Sequence, residues 1–229
     1  MAFDGITIHC IKKELTNALI GGRLYKIAQT ENDELTLTIK SDNTYKLLIS
    51  VNPSLPLIYL TNENKLSPVT APNFCMLLRK HLGNGRILSI TEPSLERVLD
   101  FEISHLNEMG DPCTKHLIIE LMGKYSNIIF TDEDYIIIDS IKRISANISS
   151  IREVLPGRKY FIPDALSKIN PLDTNFDEFE SYIKERDDMD NVYSLKKIGK
   201  ISDVFDSATD DAYNEDFFES VYFDEFDNE

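Results

Sequence analysis

The 229-residue chain carries three cysteines, Cys10, Cys75 and Cys113, an odd number set far apart with no C-x-x-C spacing. A disulfide framework or a cysteine-built zinc site needs closer or more numerous partners, so both are excluded. The three cysteines read instead as small buried hydrophobes. No apolar run reaches the roughly 18–20 residues that a membrane-crossing helix requires. The opening Met1-Ala2-Phe3-Asp4-Gly5 lacks the basic-then-apolar build of a secretion signal. A cytoplasmic location away from membranes is the resulting expectation. Phosphate-loop, G-x-S-x-G, H-E-x-x-H and G-x-G-x-x-G patterns are all missing, so neither cofactor nor metal is expected. Gly83-Asn84-Gly85 reads as a helix stop, and there is no internal repeat. The histidines at 9, 81, 105 and 116 are scattered.

What the chain does hold is charge, unevenly placed. Up to Leu172 lysine and arginine nearly balance aspartate and glutamate, 19 against 20. From Asp173 onward they stand at 5 against 19, so nearly all of the formal charge of −15 lies in the C-terminal quarter. The low overall pI therefore describes the tail and leaves room for a basic patch on the body.

Periodicity divides the body into elements. Asp4 is a good N-cap for a helix whose apolar positions Ile8, Ile11, Leu15, Ala18 and Leu19 recur at helical spacing, with Gly21-Gly22 as its stop. A β meander follows: Arg23–Gln29, the alternating Leu35, Leu37 and Ile39, Lys46–Val51 after a Ser41-Asp42-Asn43 turn, and Leu57–Leu60 beyond Pro53 and Pro56. Pro72 opens a second helix with a stripe of Phe74, Leu77, Leu78, His81 and Leu82. Asn73, Met76, Arg79 and Lys80 face the other way, and His81 reads as a hydrogen-bonded core histidine. Further strands are expected at Arg86–Ile90, Arg97–Ser104, His116–Met122, Asn127–Thr131 and Tyr135–Ile141. The pattern predicts an α+β fold built on an antiparallel β-sandwich with flanking helices. Beyond Pro163 the character changes. Phe176–Glu185 could form a helix, and Asp203–Glu229 is acidic with interspersed Phe and Tyr.

Two charged features stand out. Arg79-Lys80 project from the polar side of the second helix, either as a solvated face or as phosphate contacts. Arg97 shares parity with Leu99, Phe101 and Ile103, so it needs a partner or a place at the rim of the sheet, while Glu96 points to the opposite face. The carboxylates of Asp4, Glu14, Glu96, Asp100, Glu102 and Glu120 have no spacing that demands acid–base work. Asp4 reads first as a plain helix cap.

Taken in order, these residues resemble a known family. Phe3-Asp4-Gly5, Gly21-Gly22-Arg23, Lys26-Ile27 and Asn73-Phe74-Cys75-Met76-Leu77-Leu78-Arg79-Lys80-His81-Leu82 are similar to the NFACT-N domain of ribosome quality-control proteins. Glu96-Arg97, Asn107-Glu108-Met109-Gly110, Glu120-Leu121-Met122-Gly123, Ser126-Asn127-Ile128-Ile129, Ile138-Asp139, Arg152, Leu155-Pro156-Gly157, Tyr160 and Pro163 continue the series. The resemblance covers about Ala2 to Leu172, which implies an NFACT-N domain over 1–172 and an acidic, partly helical or disordered segment over 173–229. Glu96 stands where the family usually carries aspartate, and Asn73 where it usually carries methionine.

The resemblance implies a fold similar to the N-terminal domain of formamidopyrimidine-DNA glycosylases, without their N-terminal Pro-Glu or zinc-finger cysteines. It implies partners in alanyl-tRNA and the obstructed large ribosomal subunit with its peptidyl-tRNA, in support of C-terminal alanine tailing. The ribosome makes the bonds, so the chain is not expected to be an enzyme. Asp4, Glu96 and Arg97, joined by Arg79 and Lys80, are the implied tRNA- and ribosome-binding residues. The family's bacterial label, fibronectin-binding protein A, implies a competing reading as a surface adhesin for fibronectin or fibrinogen. The missing secretion signal and wall anchor speak against it.

Overall fold

The computed structural model describes residues 4–162 except 67, 69, 108, 150 and 151, together with 174–178 and 181. Helix α1 spans Gly5–Leu19 and α2 spans Asn73–Leu82. Nine strands complete the body: β1 Arg23–Glu31, β2 Glu34–Lys40, β3 Thr44–Ser50, β4 Leu57–Thr61, β5 Arg86–Thr91, β6 Val98–Leu106, β7 Pro112–Glu120, β8 Asn127–Thr131 and β9 Ile137–Ser140. All expected elements of the body are present, with ends that differ by a few residues. The difference that bears on function is at β6, which starts at Val98 and leaves Arg97 at the rim of the sheet. β9 is shorter than expected because Tyr135 turns through a left-handed conformation (φ 62°) before the strand begins.

The antiparallel strands of the expected α+β fold are present. Its strands hydrogen-bond into one antiparallel sheet in the order β4-β3-β2-β1-β5-β6-β7-β8-β9. The link between the two meanders is narrow, however, because β1 and β5 are in register at one pair, Arg23 with Arg86. Beyond that pair the strands part, and α2 packs on β1 and β6. The carbonyl of Ile27, which β5 does not reach, accepts from Arg79 Nε at 2.8 Å and from the Cys75 thiol at 3.7 Å. The helix thus supplies donors that a neighbouring strand would otherwise provide.

The buried face of α2 differs slightly from the expected stripe. Phe74, Cys75, Leu78 and Leu82 are buried, whereas Leu77 and His81 are half-buried. His81 is tilted against the Phe130 ring at 6.0 Å and sits at the margin of the core. Asn73, Met76, Arg79 and Lys80 face outward as expected. Of the cysteines only Cys75 is buried; Cys113 is half-buried and Cys10 exposed.

Both helices and both meanders contribute to one main core, from Ile8, Leu15 and Leu19 through Leu37, Ile49 and Leu78 to Phe101, Leu117 and Phe130. The meanders also meet at their loops, where the Lys142 ammonium donates to the carbonyls of Val51 and Ser126. Burial pushes the Lys142 pKa down against the opposing charge of Asp33. A smaller cluster of Val98, Ile118, Ile129, Ile137, Val154 and Tyr160 covers the opposite face of β6–β9. Its lid is the segment leading to Phe161, tied down by bridges of Ile144 to Val154 and Ile136 to Lys159.

Beneath that lid lies the buried carboxylate of Glu120, fully inaccessible to solvent. Arg152 Nη2 donates to both of its oxygens at 2.6 Å, and the Tyr160 hydroxyl donates to one of them at 2.9 Å. Arg152 and Tyr160, which entered through the family resemblance, thereby gain a physical role, since they latch the last part of the body onto β7. The chain divides into units Met1–Asp164 and Ala165–Glu229. In the second unit Asn175 and Glu178 form a reciprocal capping box at the start of the helical residues Phe176–Glu178. The expected boundary at Leu172 and the acidic run 203–229 lie outside the described residues.

Removing one partner of a buried ion pair leaves the other charge uncompensated, at a cost of about 3–5 kcal/mol. Arg152→Met should therefore lower the urea-unfolding free energy by about that amount. Adding Glu120→Gln to the same chain should recover much of the loss, and full stability of the single variant would show that the latch carries no weight.

Candidate nucleic-acid interface

The site is built where α1 begins. Asp4 stands in extended conformation before the helix, and its Oδ1 accepts from the Thr7 N–H at 2.7 Å, which caps the first turn. The next residue has no room for a side chain: a Cβ on Gly5 would overlap the carbonyl oxygen of Leu95. The helix start is therefore seated directly on the turn between β5 and β6. In that turn Ser94 and Leu95 both adopt left-handed backbone (φ 52° and 55°), and the Glu96 N–H closes back onto the Pro93 carbonyl at 2.9 Å. Two consecutive non-glycine residues in this region are unusual and carry strain that the surrounding packing must hold.

Glu96 and Arg97 leave this turn side by side, both half-buried. The Arg97 carbonyl accepts from the Leu121 N–H at 2.9 Å, which fixes the backbone, while Leu99, Phe101 and Ile103 continue into the main core. Among the described residues neither the Glu96 nor the Arg97 side chain makes a hydrogen bond or ion pair. The Gly5–Leu95 contact sets the backbone that follows Asp4 against the turn that leads into Glu96 and Arg97, both of which are half-buried. Arg79 and Lys80 are held on the other helix, and the Arg79 guanidinium is partly committed through Nε to Ile27.

Sequence reading missed the residue beneath this turn, Glu92. Its side chain is 1 % exposed, with Oε2 3.0 Å from His9 Nδ1. Oε1 is buried without a hydrogen-bond partner. Burial, opposed by the charge of Lys12, pushes the Glu92 carboxyl up to about 7. Cys10 sits one residue beyond His9, and its thiol is also pushed up, chiefly by burial against the opposing charge of Lys13, with Asp4 and Glu92 adding to the rise. No spacing rule could have found Glu92, because its partner lies 83 positions away.

A second polar cluster occupies the opposite face of β6 and β7. His116 Nδ1 lies 3.0 Å from Asp100, the Tyr135 hydroxyl donates to Asp100 at 2.9 Å, and the two rings stack at 4.3 Å. Burial alone would lower the His116 pKa; the Asp100 hydrogen bond and charge, with Glu102 and Asp132, raise it overall. Burial, then Asp100, pushes the Tyr135 hydroxyl up to about 12. These groups satisfy one another across the sheet. Among the described residues no group of three or more His, Cys, Asp and Glu is placed to hold a metal, and no helix is long and apolar enough to cross a membrane.

Glu92 generates a pH dependence. Its ordinary value is 4.5 and its folded value about 7, so between these limits the folded state holds a proton that the unfolded state has released. Stability should fall as pH rises from about 4.5 to 7 and level off above. In Glu92→Gln, chemical unfolding across that window should lose this part of the slope; an unchanged slope would show that Glu92 ionises normally.

Comparison with known proteins identifies the family. The profile of the family described as NFACT N-terminal and middle domains matches residues 4–203. Over 180 residues the chain is 39% identical to the Rqc2 homolog RqcH of Bacillus subtilis (strain 168), covering 78% of this chain and 32% of that protein. It is 28% identical over 209 residues to the archaeal Rqc2 homolog aRqcH of Methanocaldococcus jannaschii, covering 87% and 29%. The chain thus spans about a third of the length of these relatives. Among solved structures, the N-terminal part of the fibronectin/fibrinogen-binding protein from Streptococcus suis superposes with a TM-score of 0.76 at 32% identity, covering 90% of this chain and 79% of that one. The N-terminal domain of fibronectin-binding protein PavA from Streptococcus pneumoniae gives 0.76 at 30% identity, covering 97% and 83%. With most of its length matched, the chain belongs to the family of NFACT N-terminal and middle domains.

Proposed function

We propose that this chain is the RNA-engaging module of a ribosome quality-control factor. In this reading it grips tRNA and the obstructed large ribosomal subunit, and it positions alanyl-tRNA for C-terminal tailing without making or breaking bonds itself. The observation that carries the reading is the half-buried Arg97, free of carboxylate partners among the described residues and two residues beyond the Leu95 carbonyl on which the start of α1 is seated. A guanidinium presents five donors in a planar fork suited to a phosphate or a base edge. A backbone carbonyl bond and the packed turn fix the Cα from which the side chain extends. The neighbouring carboxylates can orient the fork or accept from a base amine. Relatives named as Rqc2 homologues, and the more distant ribosome quality control complex subunit NEMF of Homo sapiens, support the assignment to this process. Fibronectin and fibrinogen appear in the names of the solved neighbours alone, and no surface feature among the described residues favours them.

Arg97→Ala should weaken tRNA binding by roughly tenfold, as expected for one well-placed guanidinium. If the contact is to phosphate, the salt dependence of binding should also fall by about one unit of log–log slope. The measurement is a salt titration of tRNA affinity with the whole chain, backed by co-sedimentation with large subunits. Wild-type affinity in both assays would remove Arg97 from the site.

A further inference from the structure

The outer face of the sheet holds an arrangement that the site above does not use. At the single register pair joining β1 to β5, Arg23 lies opposite Arg86, and on its other side Arg23 lies opposite Lys40 of β2. Three cations therefore stand in one row across three adjacent strands, within about 10 Å. Like charges directly opposite one another destabilise a sheet. All three are exposed, and among the described residues none ion-pairs with a carboxylate. The adjacent row adds Lys26 on β1, opposite Thr38, and Lys46 on β3.

The local geometry presents these charges outward. The register shift between Leu24 and Lys26 makes Tyr25 an extra residue, 61% exposed among the cations. Lys40 Nζ lies 3.5 Å from the centre of its ring. Arg86 is braced by a hydrogen bond from Nη1 to the Gly21 carbonyl at 2.8 Å. A hydrogen-bonded sheet bearing a braced arginine, further cations without carboxylate partners among the described residues and an exposed aromatic ring has the chemistry of a backbone-tracking nucleic-acid surface. Phosphates relieve the repulsion, and the ring can stack on an unpaired base.

We propose that the row Arg86–Arg23–Lys40, with Lys26 and Tyr25 beside it, is a second RNA-binding surface that takes the phosphate backbone of the same RNA held at Arg97. The ligand class rests on the reading of the chain as an RNA-engaging module. Arg23 and Arg86 follow the carboxyl end of α1, whereas Asp4 and the Glu96-Arg97 turn lie at its amino end. Fifteen helical residues span about 22 Å, so a folded RNA could engage both ends at once.

The test is the whole chain carrying Arg23→Gln, Lys26→Gln and Lys40→Gln together, beside Arg97→Ala. Unfractionated tRNA is titrated by fluorescence anisotropy between about 50 and 200 mM salt, and melting is followed in parallel. The triple variant is expected to bind at least about tenfold more weakly, with a salt slope smaller by about 2. It should melt no lower than wild type, because opposed like charges have been removed. Wild-type affinity and slope in the triple variant, with Arg97→Ala impaired, overturn the second surface and leave the first reading standing. A wild-type chain that fails to bind tRNA at the lowest salt overturns both. If the triple variant instead loses affinity for a peptide of residues 203–229 while holding tRNA normally, the row serves the chain's own acidic segment and the RNA assignment is overturned.

Discussion

The close approach of Gly5 to the Leu95 carbonyl is the constraint on which the candidate site depends. It joins the first turn of α1 to a turn that follows some ninety residues later, and it works because residue 5 has no Cβ. Around that contact several costs are held together. Ser94 and Leu95 sit in left-handed backbone, Glu92 is buried with one oxygen unpartnered, and a guanidinium is kept at the rim. Each is unfavourable by itself, and strain of this kind persists only where packing over-determines the geometry. The packing here comes from Ile8, Leu15 and Leu19 of the same helix, all part of the main core. The helix thus acts as a rigid bar, with its apolar face fixing its position and its capped start seated on the turn that leads into Glu96 and Arg97.

The seam between β1 and β5 plays the complementary role. A fully paired sheet would satisfy the backbone without help from α2. Because the strands part after one register pair, the Ile27 carbonyl recruits Arg79 and Cys75. This changes the meaning of the Arg79-Lys80 pair. One of the two cations that faces outward from the helix is tied by Nε to the sheet, and its remaining donors extend from a fixed base. Structural and ligand-binding duties need not compete in arginine, whose fork offers five donors.

Much of this fold could be read from the chain because its elements are locally consistent. The Asp4 cap, the helical spacing of Ile8, Leu15 and Leu19, the alternation through Leu35, Leu37 and Ile39, and the outward placement of Asn73, Met76, Arg79 and Lys80 each depend on near neighbours alone. Parity placed Arg97 in line with core residues and left it needing either a partner or a place at the rim; β6 begins one residue later, at Val98. What could not be read depends on contacts between distant segments. The bond between Glu92 and His9 and the latch of Arg152 on Glu120 are products of register and of how the sheet closes around its core. The link between the two meanders turns on a single register pair, Arg23 with Arg86. Cys75 is buried in place of Leu77 and His81 on the side of α2 whose Cys75 and Arg79 donate to the Ile27 carbonyl. Periodicity gives the width of an apolar face but cannot fix its last few tens of degrees.

The same locality governs the electrostatics. A formal charge of −15 argues at first sight against a polyanionic ligand, yet total charge is a poor guide at short range. At physiological ionic strength exposed charges are screened over about 8 Å. Within that distance a phosphate beside Arg23 meets Arg86 and Lys40 on the neighbouring strands, each about 5 Å away across the sheet. Acidic residues beyond the screening length reduce the rate of encounter more than they weaken the contact once formed. An excess of carboxylates in the C-terminal quarter can therefore coexist with a cationic row on the body. The row would repel itself in the free protein, and that unfavourable term is released when an anion docks. Binding to RNA and relief of sheet repulsion are then one event.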